Sequence, residues 1–474
     1  MNIGKIKNLI LTFIVLPSCL FAQQENENHL NFIGKIKPRH AREIQSSKIS
    51  IGAEMMDRDY TIYANWKDFL GPLGVKKARI QSGWAKCEKE NGVYDWAWLD
   101  EIISDMVNQG VEPWIDLCYG NPVYPGGGGT TLQQKALPDS KEALIGWEKY
   151  VSAIVQRYKE YVDEWEIWNE PNYGIDPVQF GKFVVLTAKA IKTVQLDATV
   201  IGIALGSGVD YEFADKVLAE IKNQNAIHLI DQIAHHRHIT VPEQNDPEVE
   251  LEKVIDRYSN KIITRQGEAG CPSLFSESFA MNNTEWSEIQ QAKHILRRLM
   301  CDLGRNKETS IFTIIDARYI RNDHAVWNYK GLLAANENLE VDYIKPAYNA
   351  MQHVTSIFDS SLQPFSLSYS ADNDDDLYVF AHENIYSGNQ VAAIWLGNHK
   401  PTISTDTQFR NLQIYNGNFE EPVYVDLRTG EIFEIPENHW SKSGSVYEFK
   451  NIPVYDSPVL IAEKSLLKIK EFHE

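Results

Sequence analysis

The sequence is short of cysteine and has no surplus of basic residues. Five cysteines occur in 474 residues. Their spacings match no zinc pattern, and a chain this long can build a core that does without disulfides. A net charge of −19 excludes partners held chiefly by phosphate neutralisation, so neither nucleic acid nor an anionic membrane is expected. No basic cluster offsets that balance. Beyond residue 22 there is no apolar run long enough to cross a membrane, so no transmembrane span is expected in the mature chain. The first strand-like run, "ISIGAEMMDRD", lacks the glycine-rich phosphate turn that a nucleotide-binding open sheet needs.

The N-terminus reads as an export signal over residues 1–22. Lys5 and Lys7 supply the positive region, "LILTFIVLPSCLF" the apolar stretch, and Ala22 a small residue before the cut. The chain is therefore expected to be exported to the periplasm, the cell surface or the medium. A second reading takes "LPSC" as a lipid-attachment motif with Cys19 acylated. Pro17 and the apolar residues after Cys19 fit that reading less well.

After a lead-in over 23–48, the chain alternates between short apolar runs and longer amphipathic segments. Eight strand-like runs fall at 49–55, 76–82, 112–119, 164–170, 199–205, 230–236, 261–268 and 310–316. Between them lie helical patterns such as "WAWLDEIISDMVNQG" and "IQQAKHILRRLMCDLG", with apolar spacings of three and four and a glycine stop. Eight such units in roughly 270 residues are the count and size of an α/β fold of the (β/α)8 TIM-barrel type. The barrel is expected over 49–358, closed by "YIKPAYNAMQHVTSIF". From 359 to 474 the texture becomes short, β-rich and broken by Asn, Gly and Asp, which predicts a C-terminal β-sandwich.

In such a barrel the reactive side chains sit at the C-terminal ends of the strands. "DEWEIWNEPN" (163–172) ends the fourth run with Glu170, where a strand gives way to a loop. The seventh run, "KIITRQGEAG", ends at Glu268. Both carboxylates then open into one mouth. Paired carboxylates with separated pKa values are what glycoside hydrolysis needs, one to protonate the leaving oxygen and one to attack the anomeric carbon. Arg79, ending the second run in "ARIQS", is expected to keep Glu268 ionised as the nucleophile. Glu170, between Trp168 and Pro171, is expected to be the acid/base, with Asn169 beside it to bind a sugar hydroxyl.

These residues carry a family resemblance. "EIWNEPN" resembles the acid/base motif of clan A glycoside hydrolases, and "ARIQS" places Arg79 where that clan has an arginine near its nucleophile. The resemblance spans roughly residues 49–350 and is closest to glycoside hydrolase family 39 and its relatives. It implies a retaining enzyme that cleaves an O-glycosidic bond of a poly- or oligosaccharide through a covalent glycosyl–enzyme. No cofactor is expected. In "DQIAHHRH", His236 takes the clan's histidine position, and His238 stands where the clan has tyrosine. Near strand eight the clan's tryptophan is missing. Asp316 and Tyr319 stand there instead, with Trp327 in the following loop as a replacement.

Other residues are weighed by type. Trp84, Trp286 and Trp327 are candidate stacking platforms for sugar rings. The glycine-rich segment "CYGNPVYPGGGGTT" is expected to carry Tyr119, Asn121 and Tyr124 to the mouth. His236 and His238 share a strand face, so a metal would need ligands from other strands, and none is expected. Two rivals follow. A carbohydrate-binding barrel with impaired catalysis would bind sugar regardless of either glutamate, and a His-based metallohydrolase would respond to a chelator.

Overall fold

The computed structural model describes residues 30–470 other than 207, 276, 277, 283, 322 and 323. The segment 1–22 expected to be an export signal, with Cys19, lies outside the described residues. Eight parallel strands close into a barrel: Ile49–Gly52, Lys77–Gln81, Glu112–Leu117, Glu164–Ile167, Thr199–Leu205, Gln232–His236, Ile263–Ala269 and Thr309–Ile311. They are numbered one to eight here in chain order. Neighbours in sequence are neighbours in the barrel, and strand eight closes onto strand one through Ser310 and Ser50. The strands read as nearly continuous apolar runs because both faces are covered, by helices outside and by barrel filling inside.

Helices fill the crossovers, among them Ala97–Asn108, Lys141–Tyr158, Pro177–Val194 and Glu288–Gly304. Their starts follow local capping chemistry. The Ser140 hydroxyl accepts from the Ala143 amide, and the Asp176 carboxylate accepts from the Gln179 amide just before Pro177.

Strand eight departs from its expected length. It stops at Ile311 instead of running to residue 316. Beyond it two hairpins form, Ala317–Arg321 with His324–Asn328 and Leu333–Ala335 with Val341–Ile344, before the closing helix Pro346–Ile357.

The C-terminal region stacks an eight-stranded antiparallel sheet against a four-stranded one. The lead-in contributes to it: Asn31–Ile36 pairs with Glu431–Glu434 and Ile469–Lys470, so that part of 23–48 belongs to the β domain. Barrel and sandwich share buried polar ties. Glu243, on the loop after strand six, accepts from Arg297 at 2.7 and 2.6 Å and from the Trp395 indole at 2.7 Å. Cys87, Cys118, Cys271 and Cys301 are all buried free thiols.

Candidate active site

The barrel interior is filled in layers, as its geometry requires. Strand two contributes every second residue to the inside. At the bottom Lys77 pairs with Glu164, which Arg265 also holds at 2.6 Å. The Trp114 indole comes next, with Arg265 4.1 Å from its ring centre and Arg79 5.6 Å away. Above it Arg79 is fully buried and satisfies a ring of acceptors. It donates to Glu54 at 3.0 Å, Asp116 at 3.2 Å, Asn169 Oδ1 at 3.0 Å and Glu268 Oε1 at 2.6 Å, and it pairs with Glu166. A planar fork with five donors can meet that ring; an ammonium cannot.

Four carboxylates around one guanidinium do not all stay ionised. Burial pushes Glu54 up to about 8, with the Glu268 charge adding and Arg79 opposing. Burial likewise raises Asp116 to about 7, with Arg79 opposing and Glu166 adding. For Glu268 burial also acts upward. The charges of His236 and Arg79 outweigh it and hold that carboxyl well below the usual range.

Glu170 stands just past strand four on a strained backbone. Trp168 has φ 65° and Glu170 φ 50°, both in the left-handed region that costs a side-chain-bearing residue about 1–2 kcal/mol. Such strain persists only where the surroundings over-determine it. Here the Trp168 ring is wedged among Tyr119, Trp147 and Phe183, and Asn169 is held at both ends of its amide. Its oxygen accepts from Arg79 and its nitrogen donates to the Tyr119 hydroxyl at 2.9 Å.

His236, fully buried at the end of strand six, links the two glutamates. Its Nδ1 lies 3.0 Å from Glu170 Oε1 and 3.5 Å from Glu268 Oε1. Burial lowers its pKa, but the Glu268 charge and the Glu170 contact lift it to about 8. At neutral pH an imidazolium sits between the carboxyls. His238 Nδ1 lies 2.9 Å from the Gly270 carbonyl, which can only accept, so that nitrogen carries the proton. Its Nε2 then faces Glu268 Oε2 at 3.7 Å. One ligand atom each from Glu170, His236 and Glu268 lie within 4.8 Å of one another. That set could hold a divalent cation only in competition with Arg79, which already donates to Glu268 Oε1.

A cavity of about 350 Å³ opens over these groups, and Asn169, Glu170, His238 and Glu268 line it. Tyr119 reaches it, as expected. The tryptophans do not. Trp84 is 0% exposed, stacked with Tyr124 and Tyr150 and edge-on to Trp147, so the expectation that it binds substrate is corrected. Its indole donates to Glu88 at 2.5 Å, which locks it into the core. Trp286 packs on His294. Trp327 stacks on Tyr329 outside the cavity lining, so it does not supply the missing aromatic of strand eight.

Asn121 and Tyr124 turn inward too, donating to the Glu88 backbone oxygen and side chain. The same long loop reaches the cavity through Leu132, Gln133 and Lys135 instead. Asp316 is bound to Lys345 at 2.7 Å and is structural. Besides Tyr119, the aromatic lining comes from Tyr173, Phe279, Phe312 and Tyr319. Of these four, only Tyr319 is among the residues the sequence singles out.

Glu54, Arg58 and Lys330 were also missed. Glu54 had a usable signal, a carboxylate just past strand one. It packs over Gly52, where an added Cβ would lie 2.4 Å from Glu54 Oε2.

Known proteins share this architecture. A family 39 glycoside hydrolase from the gut symbiont Bacteroides cellulosilyticus WH2 superposes with TM-score 0.62 at 16% identity, covering 88% of this chain and 81% of that one. A second family 39 enzyme, from Xanthomonas axonopodis pv. citri, gives 0.56 at 14% identity over 91% of this chain and 96% of its own. The catalytic domain of a family 30 xylanase C from Talaromyces cellulolyticus gives 0.54 at 12% identity, covering 91% and 98%. These likenesses show the fold. Residues 84–395, more than half of the chain, match the sequence family described as glycosyl hydrolases family 39, and the chain belongs to that family.

Proposed function

We propose that the protein is an exported, retaining glycoside hydrolase that cleaves a poly- or oligosaccharide through a covalent glycosyl–enzyme, with Glu268 as nucleophile and Glu170 as acid/base. One observation carries the reading: an oxygen of each carboxyl lies within 4.8 Å of one on the other. Retention uses carboxyls about 5–5.5 Å apart, whereas inversion leaves about 6.5–9.5 Å for a water.

The charges support the division of roles. Glu268 is held ionised, as an attacking carboxylate must be. Glu170 is hydrogen-bonded to His236 at the end of strand six, two strands round the barrel, and is positioned to donate a proton to the leaving oxygen. Attack turns Glu268 into an ester and removes its negative charge. The proton given to the leaving oxygen leaves Glu170 as the carboxylate that activates water in the second step. Asn169, with its oxygen fixed by Arg79, offers its remaining amide proton to a hydroxyl of the bound sugar. Export rests on the sequence of the first 22 residues.

A 2-deoxy-2-fluoro analogue of a turned-over glycoside tests the assignment. It should arrest the enzyme as an ester on the peptide containing Glu268, visible by mass spectrometry. Labelling of another residue, or turnover with no adduct, overturns it.

A further inference from the structure

The glycine-rich loop after strand three is a closed arm that ends beside Glu170. Its backbone bonds to itself: the Gly120 amide donates to the Gly129 carbonyl at 2.7 Å, Asn121 to Gly127 at 2.8 Å and Gly129 to Ala136 at 2.8 Å. Only glycine fits at 127, where an added Cβ would lie 1.8 Å from the Asn121 carbonyl oxygen. The arm turns at Leu132–Gln134, where the Gln134 side-chain oxygen accepts from the Thr131 amide at 3.2 Å. It presents Leu132, Gln133 and Lys135 to the cavity.

The loop after strand four meets this arm. The Tyr173 amide donates to the Glu170 carbonyl at 3.2 Å, so a single turn of backbone ties that ring to Glu170. The ring packs against Gly206, where an added Cβ would lie 2.3 Å from Tyr173 Cε2, and it is 37% exposed. The Lys135 stem lies on Gly174, where an added Cβ would be 2.9 Å from Lys135 Cδ. Leu132, Lys135, Glu170 and Tyr173 line both the cavity and a narrow crevice that continues past Glu170 to Pro171 and Ile175.

The direction of displacement decides what lies on that side. Glu268 attacks the anomeric carbon from one face, and the bond to the leaving oxygen breaks on the other, where Glu170 delivers the proton. Whatever that oxygen carries lies beyond Glu170, against Tyr173 and Leu132. A pyranose suits these surfaces. Its C–H face covers an exposed aromatic ring, and its hydroxyls meet the Gln133 amide and the Lys135 ammonium on the rim. An aryl or alkyl group would use the ring and leave the rim in water.

We propose that Tyr173 and Leu132 form a binding site for a second pyranose, so that the bond cleaved joins two sugar rings. The proposal rests on the roles of Glu170 and Glu268 given under Proposed function. The same site holds an acceptor sugar in the second step. The acceptor hydroxyl attacks the anomeric carbon, its proton passes to the Glu170 carboxylate, and the ester bond breaks to release Glu268 as a carboxylate.

The test uses the full chain and two kinds of donor with the same glycon: a glycosyl fluoride, whose leaving group has no ring, and disaccharides in each linkage. Tyr173→Ala should lower kcat/KM for the cleaved disaccharide about tenfold more than for the fluoride. Tyr173→Phe should keep the wild-type ratio. Leu132→Ala, on the other loop, should shift the ratio in the same direction, a check that does not depend on the folding of the Tyr173 variant.

Added free monosaccharide should divert the glycosyl–enzyme formed from the fluoride into disaccharide, and about tenfold less in Tyr173→Ala. Equal losses on both donors, a wild type that cleaves no disaccharide, or transfer that Tyr173→Ala leaves unaltered overturns the proposal. Failure of the retaining assignment would appear elsewhere, as an inverted first anomer released from the fluoride and seen by NMR.

Discussion

Arg79 Nη1 donates to Glu268 Oε1 over 2.6 Å, and the guanidinium making that contact has no exposure to solvent. The same side chain holds Glu54, Asp116, Glu166 and Asn169. One residue thus fixes the charge of Glu268 and the orientation of the amide beside Glu170. Arg79→Lys keeps the charge and loses the fork. We expect kcat/KM to fall on the order of 10²-fold and thermal stability to drop by a few kcal/mol, because buried carboxylates lose partners. Turnover within about twofold of wild type would contradict this role.

The histidine between the glutamates should shape stability with pH. The folded pKa of His236 is raised from 6.5 to about 8. A raised pKa contributes stability that is fully present below pH 6.5 and lost as pH rises through about 8. The gap corresponds to about 2 kcal/mol. Glu268 has a depressed pKa and acts in the other direction: its contribution is present above the ordinary carboxylate range and lost on acidification. Denaturant unfolding of wild type and His236→Asn at pH 6 and pH 9 should show a difference that shrinks by about 2 kcal/mol at the higher pH. A pH-independent difference would count against an imidazolium at this position.

Aromatic residues divide between core and cavity, and the division predicts opposite phenotypes. Trp84→Ala removes a wholly buried ring and its hydrogen bond to Glu88, so it should cost about 3–5 kcal/mol of stability. Tyr319→Ala trims the cavity wall, so it should raise KM about tenfold with a small change in melting temperature. A KM effect from Trp84→Ala in a fully folded protein would reverse the assignment.

The contrast between those two residues also marks what the sequence makes legible. Eight barrel strands could be counted because buried parallel strands are apolar runs that end in polar residues. Glu170, Glu268 and Arg79 could be found because they sit at such ends. Trp84 could not be placed, since an indole three residues beyond strand two suits core and mouth alike, and only its neighbours Trp147 and Tyr150 decide. Lys330 and Tyr319 lie on segments after strand eight whose path is set by hairpin pairing. "NFIGKI" pairs with strands some 400 residues later, a relation no local pattern carries.

The central claim is the division of labour between Glu170 and Glu268, and azide rescue tests it most directly. Glu170→Ala removes the proton donor, but an activated aryl glycoside needs little protonation, so its first step should survive and the glycosyl–enzyme should accumulate. Azide needs no general base. It should speed the second step and give a glycosyl azide of the same anomeric configuration as the substrate. With Glu268 replaced by alanine, azide should attack directly and give the inverted product. An inverted azide from Glu170→Ala would mean that the two roles are exchanged and would contradict the account.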